Sequence, residues 1–278
     1  MTRLVQISDL HFGRDDPDLY APLTEALRTA KPDLVLMAGD FVQRARGWQF
    51  SEARAFMDGL GLPWIGVPGN HDIPLWNLPL RLIAPYRTYR RWIADDREPC
   101  VDLPGVRVIG LDTTDPLSHQ RGRVRSADIE RIGAEIAGAG DRLPVILAHH
   151  PFHHAADVEK NLMVGAPRAL DAWAAAGPHI ILSGHLHTWL VEPFLDRKGG
   201  RKTLQVHCGT GLSVRRRGDP NDFAILECAG RDVTVTHMVA RDRAFVAETA
   251  GCYRAGPDGW HRVEQPEAEA EPRLAARS

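Results

Sequence analysis

The chain has 278 residues, 44% of them hydrophobic and 25% charged, with a formal net charge of -2. That length is ample for a buried core in one large or two small domains. The charge balance leaves no global basic field of the kind that drives non-specific nucleic-acid binding, which argues against a nucleic-acid partner.

From the N-terminus, LVQI (4–7) reads as a first buried strand, too short for a signal-peptide core. Pro22 to Thr29 reads as a helix, DLVLMAG (33–39) as a strand, Ser51 to Leu60 as a helix and WIGV (64–67) as a strand. Trp76 to Trp92 and the following Ile93 carry Leu78, Leu82, Tyr86, Tyr89 and Ile93 at helical spacing, interrupted by Pro85. This predicts a kinked helix with its apolar side on the body and Arg81, Arg87, Arg90 and Arg91 in solvent. The alternative is a cap, residues 73–98, over a site. VRVIGL (106–111) is a strand, and a helix follows from Ser126, the expected N-cap, through Ile129, Ile132 and Ile136. PVILA (144–148) and HIILSG (179–184) are further strands. Over 201–240, TLQVHCG, DFAILEC and DVTVTHMV succeed one another without helices, which predicts a meander. Residues 264–278 are poor in large apolar side chains and read as a disordered tail, leaving 1–263 as one domain.

No apolar stretch approaches the length of a membrane span. The four scattered cysteines, Cys100, Cys208, Cys228 and Cys252, form no Cys-x-x-Cys pair, fit a reducing cytoplasm and read as small buried hydrophobes.

Five apolar runs finish with polar residues. Ile7 is followed by Ser8-Asp9-Leu10-His11, Ala38 by Gly39-Asp40, and Val67 by Pro68-Gly69-Asn70-His71-Asp72. Ala148 precedes His149-His150-Pro151, and Ser183 precedes Gly184-His185-Leu186-His187. Alternating strands and helices imply an α/β fold, in which loops leaving the carboxyl ends of neighbouring strands share one rim where ligands bind. In extended backbone, residues two apart point the same way, so Asp9-x-His11 and His185-x-His187 suit chelation. Each motif alone is weak, and either His149 or His150 is a ligand candidate; the order and completeness of the set carry the signal. Nitrogen and oxygen donors without thiolate favour Mn, Fe, Zn or Co.

Asp-x-His, Gly-Asp, Gly-Asn-His-Asp, His and Gly-His-x-His, in that order, resemble the calcineurin-like metallophosphoesterase superfamily over about two-thirds of the chain. Cys208 to Ser213 with Arg215 to Arg217 also resembles the bacterial cyclic-nucleotide and glycerophosphodiester phosphodiesterase branch. The resemblance implies a four-layer α/β/β/α sandwich of two packed mixed β-sheets flanked by helices. It implies two divalent metal ions, one held by Asp9, His11, Asp40 and His187, the other by Asp40, Asn70, His149 and His185. The family's ligand sits directly at the strand end, which selects His149. The resemblance also implies that His71 lies beside the substrate phosphate as the catalytic residue, with Asn70 a further substrate contact and Asp72 orienting its neighbours; Arg215 reads either as part of an exposed turn or as a substrate contact.

The implied activity is hydrolysis of small phosphodiesters, cyclic nucleotides or glycerophosphodiesters, by in-line attack of a hydroxide bridging the two ions. A phosphomonoesterase or nuclease of the same fold, a non-catalytic metal-binding scaffold and a metal-storage or sensing protein are the competing readings. The apolar 76–93 segment offers either a face for a homodimer or higher oligomer, or intramolecular packing.

Overall fold

The computed structural model describes residues 1–154, 161–195, 202–216 and 218–264. The expected tail from residue 265, and Arg217, lie outside the described residues.

β1 (Thr2–Ile7), β2 (Leu34–Met37) and β3 (Trp64–Gly66) pair in parallel. α1 (Tyr20–Ala30) and α2 (Gly47–Gly59) are their crossovers. Alternate residues of β1 enter different cores: Leu4 joins one apolar cluster, Val5 and Ile7 another. That double burial is why these strands read as continuous apolar runs. After β3 come α3 (Leu78–Ile83) and α4 (Arg87–Trp92), then β4 (Cys100–Leu103), β5 (Val106–Gly110), α5 (Ser126–Ala137), β6 (Leu143–Leu147), α6 (Ala166–Ala176) and β7 (Ile180–Ser183). β5, β6 and β7 are parallel, with β4 antiparallel at the edge. β8 (Leu190–Leu195) and β9 (Lys202–His207) form an antiparallel pair, with β9 parallel to β7.

β10 (Asp222–Ala229), β11 (Asp232–Arg241), β12 (Ala244–Gly256) and β13 (Gly259–Val263) form the meander, and β10 runs antiparallel to β1. Where two sheets are expected, the strands form one continuous mixed path, β3-β2-β1-β10-β11-β12-β13-β9-β7-β6-β5-β4, with β8 beside β9. Its two halves meet at a single register pair, Gly259 opposite Lys202. Leu4, Leu36 and Leu226 from one half share an apolar cluster with Val108, Val145 and Val206 from the other, so the sheet curls over one core. The helices α1 and α2 pack Leu23, Leu27, Phe50 and Met57 on the outer side of β1 and β2. On the other half, α5 and α6 bring Ile129, Ile132 and Trp173 to Ile109, Ile146 and Ile181.

Several expectations change. β9 belongs with β7 and β8, so the meander begins at β10 and extends beyond the expected segment. Ser126 is the first helical residue, and the N-cap position is Arg125, which makes no side-chain cap. The α6 helix was absent from the expected elements, because its buried face includes Ala166, Ala169 and Ala174, whose apolar contrast is weak. Cys208 and Cys228 are buried as expected, but Cys100 is exposed.

The 76–93 segment is two short helices broken around Pro85, and the first is turned inside out. Leu78 and Leu82 are 58% and 59% exposed, while Arg81 is buried at 3%. Its guanidinium donates to the carbonyls of Pro74, Asp115, Pro116 and Ser118. Oxygens away from water need donors, and the five N–H groups of an arginine fill that need where a leucine offers none.

His179, at the entrance to β7, is fully buried, with Nδ1 donating to the Gly177 carbonyl at 2.9 Å. Burial pushes its pKa down to about 4. Only the unfolded chain then takes up a proton below about pH 6.5. The stability this residue allows is therefore complete above that value and is lost as pH falls toward 4. Between pH 7 and 5 the wild type should lose about 2 kcal/mol more than His179→Gln in urea denaturation. Equal losses would refute the assignment.

Candidate metal centre

The loops following β1, β2, β3, β6 and β7 bring their polar residues to one buried cluster. Four overlapping groups have ligand atoms within 4.8 Å of one another: Asp9, His11 and His187; His11, Asp40 and His71; Asp9, Asp40 and His149; and His149, His150 and His185. Asn70 completes the set, its Oδ1 3.2 Å from His149 Nε2. Every expected ligand position is therefore brought together.

The hydrogen bonds aim the donor atoms inward. His149 Nδ1 donates to the Ala38 carbonyl at 2.8 Å, and His187 Nδ1 to the Arg215 carbonyl at 2.7 Å. Each ring thus keeps its Nε2 lone pair for the cluster. His187 Nε2 lies 3.1 Å from His11 Nε2 and 3.0 Å from Asp9 Oδ1. Asp9 Oδ2 accepts from the Ser8 hydroxyl and the His185 N–H, whereas Oδ1 is buried without a well-directed hydrogen bond. Asp40 Oδ1 accepts from the His71 N–H at 2.8 Å. Its Oδ2 is 3.3 Å from His149 Nε2 and 3.7 Å from His11 Nε2, between the two halves of the cluster.

Inward lone pairs at these separations repel unless a cation lies among them, and the donors are nitrogen and oxygen only. That chemistry fits divalent transition-metal ions. Without an ion, protons serve instead. Burial works to raise Asp9 and Asp40, but the surrounding imidazoles hold both carboxyls well below the usual range. Burial likewise opposes the charge on His149, yet Asp40 and Asp9 push it up to about 9.

The local backbone differs from the extended geometry expected for Asp9-x-His11 and His185-x-His187. Asp9, His11, Asp40, His185 and His187 all have left-handed φ values, 53° to 77°. Asp and His tolerate this region better than most residues, at a cost of about 1–3 kcal/mol each. Neighbouring glycines permit close approach. A Cβ on Gly69 would strike the Asp40 carboxylate, and one on Gly184 would strike Ser8 Oγ and Asp9 Oδ2.

Asp72 accepts from the N–H groups of Phe41, Val42 and Gly69, pinning the loop after β2 to the loop after β3. Burial, with Asp40 beside it, pushes its carboxyl up to about 8 against the pull of those donors. His150 places Nδ1 2.8 Å from Thr113 Oγ1, so His149 is the residue facing Asp40 and Asn70. His71 Nδ1 donates to the Gln43 carbonyl at 2.9 Å, and its Nε2 lies 3.3 Å from Arg215 Nη1. Burial pushes its pKa down to about 4. His71, Asn70 and Arg215 line a cavity of about 250 Å³ together with Gln43, Trp76 and the exposed His119.

Sequence reasoning missed Gln43, Arg44 and Thr210. Arg44 Nη1 donates to the same Gln43 carbonyl as His71, and Thr210 Oγ1 donates to the Asp9 carbonyl at 2.6 Å. Thr210 lies within the quoted 208–213 motif, so its position was visible there; Gln43 and Arg44 had no signal beyond proximity to Asp40.

The family model for calcineurin-like phosphoesterase matches residues 2–189. A probable cyclic nucleotide phosphodiesterase of Synechococcus sp. is 25% identical over 202 residues, 68% of this chain and 74% of that one. A glycerophosphodiester phosphodiesterase of Enterobacter lignolyticus is 26% identical over 163 residues, 53% of this chain and 56% of that one. The fold resembles a dimetal phosphatase from Danio rerio, with TM-score 0.62 and 13% identity over 88% of this chain and 98% of that chain. It also resembles a purple acid phosphatase from yellow lupin, with TM-score 0.66 and 15% identity over 88% of this chain and 52% of that chain.

Gly184→Ala should lose about 1–3 kcal/mol of stability through overpacking and retain less Mn²⁺ after loading and dialysis. Gly59→Ala, where a Cβ meets nothing within 4 Å, is the control. Melting curves and elemental analysis read both effects, and a Gly184→Ala protein matching the control would contradict the close-approach argument.

Proposed function

We propose, from the premise that this chain belongs to the calcineurin-like phosphoesterase family, that it is a dinuclear-metal phosphodiesterase of small substrates such as cyclic nucleotides or glycerophosphodiesters. The observation that carries the reading is Asp40 Oδ2, which faces His11 on one side and His149 on the other. A carboxylate so placed is suited to bridge two ions. Asp9, His11, Asp40 and His187 are assigned to one ion, and Asp40, Asn70, His149 and His185 to the other. When bound, a pair of divalent ions supplies Lewis-acid activation of water and neutralises phosphate charge.

The remaining roles belong to the chain. Asn70 is steadied by Nδ2 donating to the His119 carbonyl at 3.4 Å, leaving Oδ1 toward the cluster. His71 has Nδ1 fixed by Gln43, so Nε2 is the atom that meets the substrate. It is neutral before substrate arrives, and an anionic phosphate alongside favours its protonated form. The imidazolium then stabilises charge on the phosphate and gives the Nε2 proton to the departing alkoxide. Arg215 pairs with a phosphate oxygen through its guanidinium fork. Leu75 and Trp76 supply the apolar part of the cavity wall.

The two relatives described above are phosphodiesterases by name, which supports the diester over the monoester. The layered α/β/β/α arrangement belongs to the same reading and is supported by apolar clusters on both faces of each half-sheet. Among the described residues, no helix is long and apolar enough to cross a membrane.

Protein loaded with Mn²⁺ should hydrolyse bis(4-nitrophenyl) phosphate with at least about tenfold higher kcat/KM than 4-nitrophenyl phosphate. The reverse preference would make it a phosphatase, and no turnover with two ions bound would favour a metal-binding scaffold. His71→Ala should lower turnover by about 10²-fold with metal content unchanged. Loss of metal in that variant would instead make His71 a ligand.

A further inference from the structure

Four arginines from three separate segments meet beside the metal centre. Arg14 follows the loop after β1, Arg44 and Arg46 lie between β2 and α2, and Arg215 sits in the loop after β9. With Trp48 and Gln49 they line a cavity of about 440 Å³ that has no acidic residue in its wall. Among the described residues, none of the four forms an ion pair with a carboxylate. The carboxylate of Asp15, which lies next in sequence to Arg14, is engaged by the Gly13 N–H and the Tyr20 hydroxyl.

Like charges gathered without a counter-charge raise the energy of the site, and an anion of matching shape relieves it. The strain is visible at Arg44, whose pKa is lowered by burial and then by Arg215, Arg14 and Arg46. The protein's own acceptors satisfy the guanidinium groups only in part. Arg44 Nη1 donates to the Gln43 carbonyl at 2.9 Å, and Arg215 Nη1 to Gln43 Oε1 at 3.3 Å.

The cavity adjoins the catalytic one. Gln43, Arg44 and Arg215 line both. Arg215 reaches His71 at 3.3 Å, and the His71 ring stands 4.8 Å from the ring of His11. A single imidazole therefore separates the arginines from the ligand cluster, a span within one small molecule.

We propose that the Arg14–Arg44–Arg46–Arg215 cavity is a second anion subsite, which receives a further phosphoryl group carried by the phosphodiester whose scissile phosphate lies at His71. The assignment rests on the phosphodiesterase reading and moves the preferred substrate from simple cyclic nucleotides and glycerophosphodiesters to diesters bearing an additional phosphate, such as esters of nucleoside bisphosphates. Guanidinium forks match the several oxygens of a phosphate dianion, and four of them exceed what a single carboxylate requires.

The test compares two chromogenic esters on the Mn²⁺-loaded protein: thymidine 5′-(4-nitrophenyl phosphate), with and without a 3′-phosphate. The 3′-phosphorylated ester should have at least about tenfold higher kcat/KM, chiefly through KM, and Arg14→Gln combined with Arg46→Gln should bring that ratio to within about twofold. Both arginines are exposed, so the double variant keeps the fold. Calorimetry of thymidine 3′,5′-bisphosphate against thymidine 5′-phosphate gives a reading independent of turnover, with the same tenfold advantage and the same loss in the variant expected. If neither ester is cleaved but the bisphosphate keeps its arginine-dependent advantage, the subsite stands and the phosphodiesterase reading falls. If the bisphosphate binds no more tightly than the monophosphate, the subsite is overturned whatever the turnover. Inorganic phosphate binding as tightly as the bisphosphate would make this a free-anion site and overturn its assignment to the substrate.

Discussion

A carboxylate buried to 1% exposure between histidines from opposite halves of the sheet, Asp40, is the constraint around which the structure is arranged. An ionised carboxylate away from water is tolerated only when its oxygens are matched by donors or cations. Asp40 meets that condition through the His71 N–H on one oxygen and through His11 and His149 around the other. Those partners arrive from β1, β3 and β6. β2 and β6 stand far apart along the hydrogen-bonded strand path, so the sheet has to curl before His149 reaches Asp40. The bond from His149 Nδ1 to the Ala38 carbonyl closes that curl across 111 residues. The apolar cluster shared by both halves supplies the burial that holds it closed.

The same constraint explains the unusual backbone. Five cluster residues adopt left-handed conformations that most side chains avoid. Such conformations persist when surrounding contacts over-determine them. Here the contacts are specific: Asp72 ties the loops of β2 and β3, Thr210 holds the Asp9 carbonyl, and the Gly211 N–H donates to the Ser8 carbonyl at 2.9 Å. Rigidity bought in this way places the donors before any ion arrives. Raised histidine pKa values then mean that a metal competes with protons at the imidazoles, while the lowered carboxyls are already ionised to receive it.

The legible part of the site was its chemistry, and the illegible part its geometry. Polar residues at the ends of apolar runs identify themselves in one dimension, so Asp9, His11, Asp40, Asn70, His149, His185 and His187 could be named and are brought together. The left-handed φ of Asp9 and His11 has no such signature, and alternation along an extended strand was the wrong account of their spacing. The role of Gly184 against Ser8 and Asp9 depends on a contact across 176 and 175 positions, which no local pattern carries. The arginine cavity is hidden for the same reason, since Arg14, Arg46 and Arg215 have no sequence relation to one another. Within the fold, α5 announced itself through isoleucines at helical spacing, while β9 gave no sign that it would leave the meander for β7.

The inverted α3 helix shows how a polar demand overrides apolar periodicity. Turning Leu78 and Leu82 inward would bury more hydrocarbon, but it would leave the carbonyls of the 115–118 loop without the donors that Arg81 provides. An unpaired buried carbonyl costs about 1–3 kcal/mol, comparable to the gain from burying one leucine, and Arg81 serves several carbonyls together. The exchange fastens the helix to the loop that carries His119 at the rim of the cavity beside His71. Tyr86, between the two short helices, adds a 2.7 Å hydrogen bond to Thr114, and the Arg97 guanidinium lies 3.8 Å from the centre of its ring while pairing with Asp112. Trp76, exposed at the cavity wall, lies between Pro74, whose carbonyl Arg81 holds, and Asn77, which caps the helix. The part of the cavity wall that these segments supply is thus built on polar bonds, and the exposed leucines are the consequence of making it.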